Sequence, residues 1–149
     1  MRACGRPPTE LRLADDSELQ ELRPATLTAH HATHLGNYAQ LLFAKSDDME
    51  AIGLAEKAIT LASDDERPLL AECHFYLFAH SSGHRKESGR TLKTLLADGV
   101  TTGDWSFEMN LERLRSEENP RLDLLEAVAR TLEDGDTSRL DAFEEWRDL

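Results

Sequence analysis

The stretch HLGNYAQLLFAKSDDMEAIGLAEKAI, residues 34–59, decides the fold because it holds two apolar patterns of helical spacing on either side of a polar turn. Apolar residues of the first pattern recur at intervals of three and four, which places them on one helix face. These residues are Leu35, Tyr38, Ala39 and Leu42. The second pattern consists of the small residues Ala51, Ala55 and Ala58. Small residues let helices approach closely, and the short turn KSDD makes the two helices antiparallel neighbours, so the stretch predicts a helical hairpin.

A similar pair of patterns recurs further along the chain. Leu69, Cys73 and Tyr76 follow Leu35, Ala39 and Leu42 by 34 residues. A frame of 35 residues, which uses Leu70, His74 and Leu77, fits as well, and the sequence does not decide between the two. Ser88, Leu92 and Leu95 then repeat the alanine pattern after 37 residues. A helical hairpin that recurs at this interval is typical of a helical solenoid.

Residues 104–149 are also predicted to be helical, but they do not continue the repeat. Ser106 is a candidate N-cap before a face of Phe107, Leu111 and Leu114. A second helix has Asn119 as its cap and Pro120 at its start, and Gly135 ends it. Its buried face is predicted from Leu122, Leu125, Ala129 and Leu132. The last apolar face consists of Leu140, Phe143 and Trp146.

The chain as a whole is predicted to be all-α, because the alternation of apolar and polar residues that strands require is missing from its sequence. Residues 15–149 form a single helical domain in this interpretation. Residues 1–14 contain Gly5, Pro7 and Pro8 without a sustained period, and we expect them to be a loose lead-in.

Residues 32–65 resemble a tetratricopeptide repeat, a helix-turn-helix unit of 34 residues. The matching positions are Ala32, Leu35, Tyr38, Ala39, Leu42, Asp47, Ala51 and Ala58. The sequence departs from the pattern at Ser46, where the family has glycine, at Ala55, where it has an aromatic residue, and at Ser63, where it has proline. Residues 66–98 resemble a second, weaker copy. The resemblance implies an α-solenoid with a right-handed superhelix.

Residues 69–114 are also similar to the C-terminal portion of certain bacterial tetratricopeptide-repeat proteins, in which further helices follow the last hairpin. By this resemblance residues 104–149 are a C-terminal helical cap. Such a cap has a physical purpose, because two hairpins alone are fewer than a solenoid usually needs for stability.

The resemblance further implies a binding surface on the concave face, which the first helix of each unit lines. It assigns Gln40 and Phe43 to this face in the first unit and Phe78 in the second, with His74 or Phe75 according to the frame. A groove floored by phenylalanine suits an amphipathic helix or an extended apolar peptide of a protein partner. Two alternatives stay open: the C-terminal helix folds back and buries these rings, or a second copy of the chain binds there as a homodimer.

The charge of the chain favours protein partners over nucleic acid or membrane surfaces. It has 17 basic and 29 acidic residues, a formal net charge of −12, which is the wrong sign for binding phosphates or anionic lipid. Its two cysteines, Cys4 and Cys73, have no spacing that suggests a disulfide framework or a zinc ribbon. Because the sequence also lacks a signal-like apolar segment and a run of about 20 apolar residues, we expect a cytoplasmic protein.

Histidines give the one candidate for metal chemistry. His30 and His34 stand at i, i+4 beside His31, so they could ligate zinc if the stretch is helical. The glutamate of an HExxH motif and a Cys/His pair at ligand spacing are missing. Cys73 and His74 are adjacent and point about 100° apart on a helix, so Cys73 is predicted to be a small core residue. We therefore expect a non-catalytic binding module without a cofactor, with a metal-binding protein or metal-dependent enzyme as the rival.

Overall fold

A computed structural model describes the backbone of residues 25–149 and the side chains of residues 31–149. The predicted lead-in, residues 1–14, lies outside the described residues. All regular secondary structure of the described part is helical, which confirms the all-α prediction for it. The α-helices are α1 (Ala25–Ala44), α2 (Asp48–Leu61), α3 (Arg67–His80), α4 (Arg85–Ala97), α5 (Glu108–Ser116), α6 (Leu122–Asp134) and α7 (Glu144–Arg147). Two 3₁₀ helices, Ser82–His84 and Thr137–Ala142, precede α4 and α7.

Helices α1 and α2 form the hairpin that the sequence predicts. The three alanines of α2 are fully buried against α1, because their small side chains allow a close approach. The turn begins at Ser46, whose φ of 67° lies in the left-handed region that favours glycine. The amide of Asp47 donates to the carbonyl of Leu42 over 2.8 Å, and the amide of Ser46 donates to that of Phe43 over 3.0 Å. This pair of bonds satisfies carbonyls at the end of α1 and reverses the chain.

Helices α3 and α4 form a second antiparallel pair, and α3 also packs against both helices of the first pair. Gly36 of α1 allows the close contact, since a Cβ there would lie 3.0 Å from Leu69 Cδ1 and 3.4 Å from Cys73 Sγ. Cys73 is fully buried, as predicted. The first helices of the two pairs therefore lie side by side.

The C-terminal segment, residues 105–149, packs over α1 and α3. Helix α5 contacts α1, and α6 contacts α3 and α5. The N-cap residues of α5 and α6 are Phe107 and Arg121, so the predicted caps Ser106 and Asn119 lie one and two residues too early. Ser106 Oγ accepts from the amide of Glu108 over 3.2 Å, and Asn119 Oδ1 accepts from that of Arg121 over 2.8 Å. Gly135 ends α6 with a φ of 80°, as predicted.

Within residues 25–149, every helix is too short or too polar to span a membrane.

Two helical glycines, Gly53 on α2 and Gly89 on α4, make a matched test of the packing between α3 and α4. A Cβ on Gly53 meets no atom within 4 Å, so Gly53→Ala should stabilise the protein by about 0.5–1 kcal/mol through helix propensity. A Cβ on Gly89 would lie 2.8 Å from Phe78 Cε1 and 2.9 Å from Leu149 Cδ1, so Gly89→Ala should destabilise it by about 1–2 kcal/mol. Urea denaturation of both variants measures the difference. Equal stabilisation by both would contradict the close packing at Gly89.

Candidate functional site

The residues predicted to line an open groove are covered in the structure. Phe43, Phe75 and Phe78 have no exposed surface, Gln40 is 5 % exposed and His74 is half-buried. The prediction of an open, phenylalanine-floored groove is therefore wrong for the described chain. The alternative, in which the C-terminal segment folds back over these rings, agrees with the structure. The physical reason is that α5, α6 and α7 supply apolar and polar partners for the same surface.

These five residues also fail to form a single surface. Gln40, Phe43 and Phe75 lie under α5 and the residues just before it. His74 faces α4 instead, where its Nδ1 lies 3.0 Å from Ser88 Oγ. Phe78 lies under Trp146 and the guanidinium of Arg121. We use the term covered face for the surface of α1 and α3 that residues 105–113 contact, namely Gln40, Phe43, Phe75, Tyr76 and His80.

An aromatic cluster forms the centre of the covered face. The Phe107 ring lies 4.5 Å from the Phe75 ring and 5.8 Å from the Tyr76 ring, centroid to centroid. Trp105 Nε1 donates a 2.8 Å hydrogen bond to the Tyr76 hydroxyl. Aromatic pairs at these distances add to the free energy gained by burial. The cluster therefore anchors the start of the C-terminal segment on α3.

A chain of buried polar side chains links α1, α5 and α3. Gln40 Nε2 donates to the Ser106 carbonyl over 2.8 Å and to Asn110 Oδ1 over 3.0 Å. Since Gln40 thus faces the oxygen of the fully buried Asn110, the Asn110 Nδ2 group faces His80 Nε2 and donates to it over 3.2 Å. The proton of a neutral His80 must then be on Nδ1.

His80 is held in this neutral form by its surroundings. Burial, together with the nearby Arg113 cation, lowers the pKa of His80 to about 4. Its ring stacks on Phe43 at 5.0 Å between centroids. His80 Nδ1 is buried and has no hydrogen-bond partner in the described part of the chain. A buried polar atom without a partner costs stability, so this position is a weak point of the covered face.

Arg113 holds the end of α5 against the turn between α1 and α2. Its guanidinium donates to the Phe43 carbonyl over 2.6 Å and to both carboxylate oxygens of Asp48 over 2.7 and 3.0 Å. Its Nε donates to Glu117 over 2.8 Å. The Arg113 side chain is only 13 % exposed, although its partner Glu117 lies at the surface, so the bonds to Phe43 and Asp48 are the better shielded from water.

Arg121 makes a comparable attachment on the other side of α3. It donates three bonds to the Glu145 carboxylate and one, of 3.0 Å, to the Phe78 carbonyl. Its guanidinium carbon lies 4.7 Å above the Phe78 ring, and the Trp146 ring lies 6.0 Å from the same ring. The C-terminal segment is thus attached at two places, by Arg113 to the first hairpin and by Arg121 to α3.

Sequence reasoning missed most of the residues that join the C-terminal segment to the hairpins. It assigned no role to Trp105, Asn110, Arg113 and Arg121 on the covering side or to His80 beneath them, and it gave Tyr76 and Trp146 only as members of apolar faces. One signal was present: Asn110 lies three residues after Phe107 and four before Leu114, so it shares their apolar face. A polar residue on such a face needs a buried partner. The partner, Gln40, lies 70 residues away, and no local pattern identifies it.

The metal hypothesis receives no support from the described histidines. His31 is half-buried and His34 is exposed, while the side chain of His30 lies outside the described residues. Among residues whose side chains are described, no three His, Cys, Asp or Glu side chains are grouped closely enough to hold a metal ion. His84 has a structural position, with Nδ1 2.7 Å from Ser81 Oγ and Nε2 2.8 Å from Glu56.

A cleft of about 410 Å³ lies between α5 and α6, with Phe107, Leu111 and Ala129 among its lining residues. Two of its arginines are already bound to acidic residues: Arg115 pairs with Glu108 and Glu126, and Arg139 pairs with Asp134. This arrangement resembles a solvated ion-pair network more than a reaction site. No model of a known protein family, no curated protein and no solved structure matches the chain.

Glu72 is a buried carboxyl group on α3, one turn before Tyr76. It is 7 % exposed and makes no hydrogen bond or ion pair to any residue of the described part. Burial raises the pKa of Glu72 to about 8, so the folded protein holds this carboxyl protonated at neutral pH. The neighbouring Cys73 thiol and Tyr76 hydroxyl also have pKa values raised mainly by burial. These shifts follow from an apolar interior and do not by themselves define a reaction.

Glu72 makes stability depend on pH. The folded state binds one more proton than the unfolded state between the ordinary carboxyl pKa of 4.5 and the raised value of about 8. Glu72 should therefore lower the free energy of unfolding as the pH rises through this window, by about 5 kcal/mol in total, and this effect levels off above it. Up to pH 6.5 the lowered pKa of His80 has the opposite effect, so the net fall is steepest above that pH.

The variant Glu72→Gln should lose this slope, because an amide does not titrate. The measurement is urea denaturation of wild type and variant at several pH values from 5 to 9, with the exposed Glu50→Gln as control. A wild-type slope that persists in Glu72→Gln would show that Glu72 is not the group responsible.

Proposed function

We propose that the chain is a non-catalytic protein-binding module of the tetratricopeptide type. In this proposal residues 32–65 and 66–98 are two repeat-like hairpins of a right-handed α-solenoid, and residues 104–149 are its C-terminal cap. The first-helix face of the hairpins receives a helix. In the closed form described here, the chain's own α5 occupies that face, and a partner helix replaces it.

The packing order of the helices supports the repeat assignment. Each helix of residues 25–97 contacts the next, and α1 also contacts α3, as expected for stacked hairpins. The small residues Ala51, Ala55 and Ala58 lie in the α1–α2 interface, at the positions where the family resemblance expects contacts. The left-handed Ser46 occupies the place where the repeat pattern has glycine.

The contacts between α5 and the covered face are the observation that supports the binding proposal. One side chain per turn contacts the covered face: Phe107 the aromatic cluster, Asn110 the Gln40–His80 pair and Arg113 the Phe43 carbonyl with Asp48. The face therefore offers an aromatic site and a paired amide site along α1 and α3, followed by an anionic site at Asp48, the first residue of α2. A partner helix with an aromatic residue, an asparagine and an arginine at intervals of three would meet the same contacts.

The closed form sets a condition on the partner. A partner can bind only the fraction of molecules in which α5 has left the face, and its apparent affinity falls by that fraction. A second copy of the chain meets this condition when the two chains exchange their α5 helices, because each α5 then occupies the covered face of the other chain. This exchange is the route to a homodimer in this proposal. The net charge of −12 fits a protein partner and opposes nucleic acid.

Substitutions of the buried rings cannot test this proposal. Phe43→Glu or Phe78→Glu would bury a charge at a fully enclosed position and unfold the protein. The test has to loosen the covering helix instead. The double variant Phe107→Ala, Asn110→Ala removes two of the three contacts of α5 and leaves the covered face unchanged.

We expect a labelled peptide of residues 104–118, DWSFEMNLERLRSEE, to bind the loosened full-length variant with micromolar affinity, because it restores the missing contacts. It should not bind wild type, in which α5 occupies the face. Fluorescence anisotropy measures the binding. The matched control is Met109→Ala, Glu112→Ala, two exposed positions of the same helix, which should behave as wild type.

Circular dichroism checks that the double variant keeps its other helices. If the double variant loses them, the single variant Asn110→Ala is used in its place. A folded variant that fails to bind the peptide, or a peptide with both contact residues replaced by alanine that binds as well, would refute a helix-receiving face.

A further inference from the structure

A second feature, independent of the covered face, lies where the 3₁₀ helix Ser82–His84 leads into α4. A cleft of about 480 Å³ is lined there by Ser82, Arg85, Lys86, Glu145, Asp148 and Leu149. Some of its charged side chains form ion pairs and others do not, whereas Arg115 and Arg139 in the cleft between α5 and α6 are both ion-paired.

The neighbouring Arg121 uses all three nitrogens of its guanidinium. Nε and one terminal nitrogen donate to Glu145, and the other terminal nitrogen donates to the Phe78 carbonyl. The Arg121 side chain is 11 % exposed. Glu145 is thus bonded to Arg121, and it forms no hydrogen bond or ion pair with a second arginine of the described part.

Arg85 has no such partner. Its Nε is buried without a hydrogen bond, and no ion pair joins its guanidinium to any residue in the described part. Burial lowers the pKa of Arg85, and the like charge of Arg121 lowers it further, against a smaller opposite effect of Glu145. A guanidinium beside another guanidinium with unused donors is a favourable position for an anion.

Two further charged residues, Lys86 and Asp148, line the cleft. Lys86 is exposed, and no residue of the described part forms an ion pair with it. Asp148, also exposed, is the opposing carboxylate. Arg85 and Lys86 line the cleft together with Glu145 and Asp148, and Glu145 is already paired with Arg121, which lies beside the cleft. Two unpaired cations thus remain against one carboxylate, in a chain whose net charge is −12. A dianion gains more from these two cations than a monoanion, since it also offsets the repulsion between Arg85 and Arg121.

We propose that this cleft binds a phosphate monoester or free phosphate, held by the Arg85 guanidinium, the Lys86 ammonium and the Ser82 hydroxyl. The terminal nitrogens of Arg85 donate to two phosphate oxygens. Lys86 supplies the second positive charge, and Ser82 donates a neutral hydrogen bond. The group comes either from a small phosphorylated compound or from a phosphorylated side chain of a protein partner.

The test is an NMR titration of the full chain with inorganic phosphate, phosphoserine and acetate, with sodium chloride matched for ionic strength. We expect saturable shifts of the backbone amides of residues 82–86 with phosphate, at millimolar affinity or better, and binding of acetate at least tenfold weaker. Phosphoserine bound as tightly as phosphate supports the side-chain source, and phosphoserine bound more weakly supports the small-molecule source.

Variants separate the site from general ionic effects. Arg85→Gln should weaken phosphate binding at least tenfold, and the exposed Lys86→Gln should weaken it severalfold. Arg130→Gln, an exposed arginine of α6 outside the cleft, should leave it unchanged. Shifts that grow linearly with salt, that are the same for acetate, or that persist in Arg85→Gln would overturn the proposal.

Discussion

The structure depends on how the aromatic surface of α1 and α3 is removed from water. Phe43, Phe75, Tyr76 and Phe78 have no exposed surface, and full burial of one such side chain contributes about 1.5–3 kcal/mol. The two hairpins cover these rings only in part: Phe75 and Tyr76 also contact Phe107, and Phe78, which packs against Gly89 of α4, also contacts Trp146. Residues 105–149 enclose them, so the C-terminal segment is part of the core of the described chain.

Polar contacts decide how that segment is placed. Burial alone would allow α5 to slide along α1, since apolar contact is not directional. The Gln40–Asn110–His80 chain and the Arg113–Asp48 pair each require one position of α5, because a shift would leave buried polar groups without partners. The same contacts that fix the helix would select a partner that replaces it. Stability and recognition therefore rest on one set of residues in the function that we propose.

The sequence predicted what depends on neighbouring residues and missed what depends on distant ones. The α1–α2 hairpin, the buried alanines of α2 and the end of α6 at Gly135 follow from local spacing and turn chemistry. The side chains of Phe43 and Phe75 were assigned to the first-helix face, but the Phe43 ring stacks on His80 and the Phe75 ring packs against Phe107, each more than 30 residues away in the chain. In the sequence, Asn110 is one polar residue among apolar ones. Its role becomes clear only from its hydrogen bond to Gln40 in the folded chain.

The most direct test of the central claim is the distance between the Phe107 ring and the rings of α3. In a nuclear Overhauser spectrum of the full chain, with Phe107→Leu used to assign its resonances, we expect contacts from the Phe107 ring protons to both Phe75 and Tyr76, whose ring centres lie 4.5 and 5.8 Å away. Their presence would establish that the C-terminal segment covers α3. A folded chain whose Phe107 ring shows neither contact would contradict this account and leave the first-helix face open to solvent.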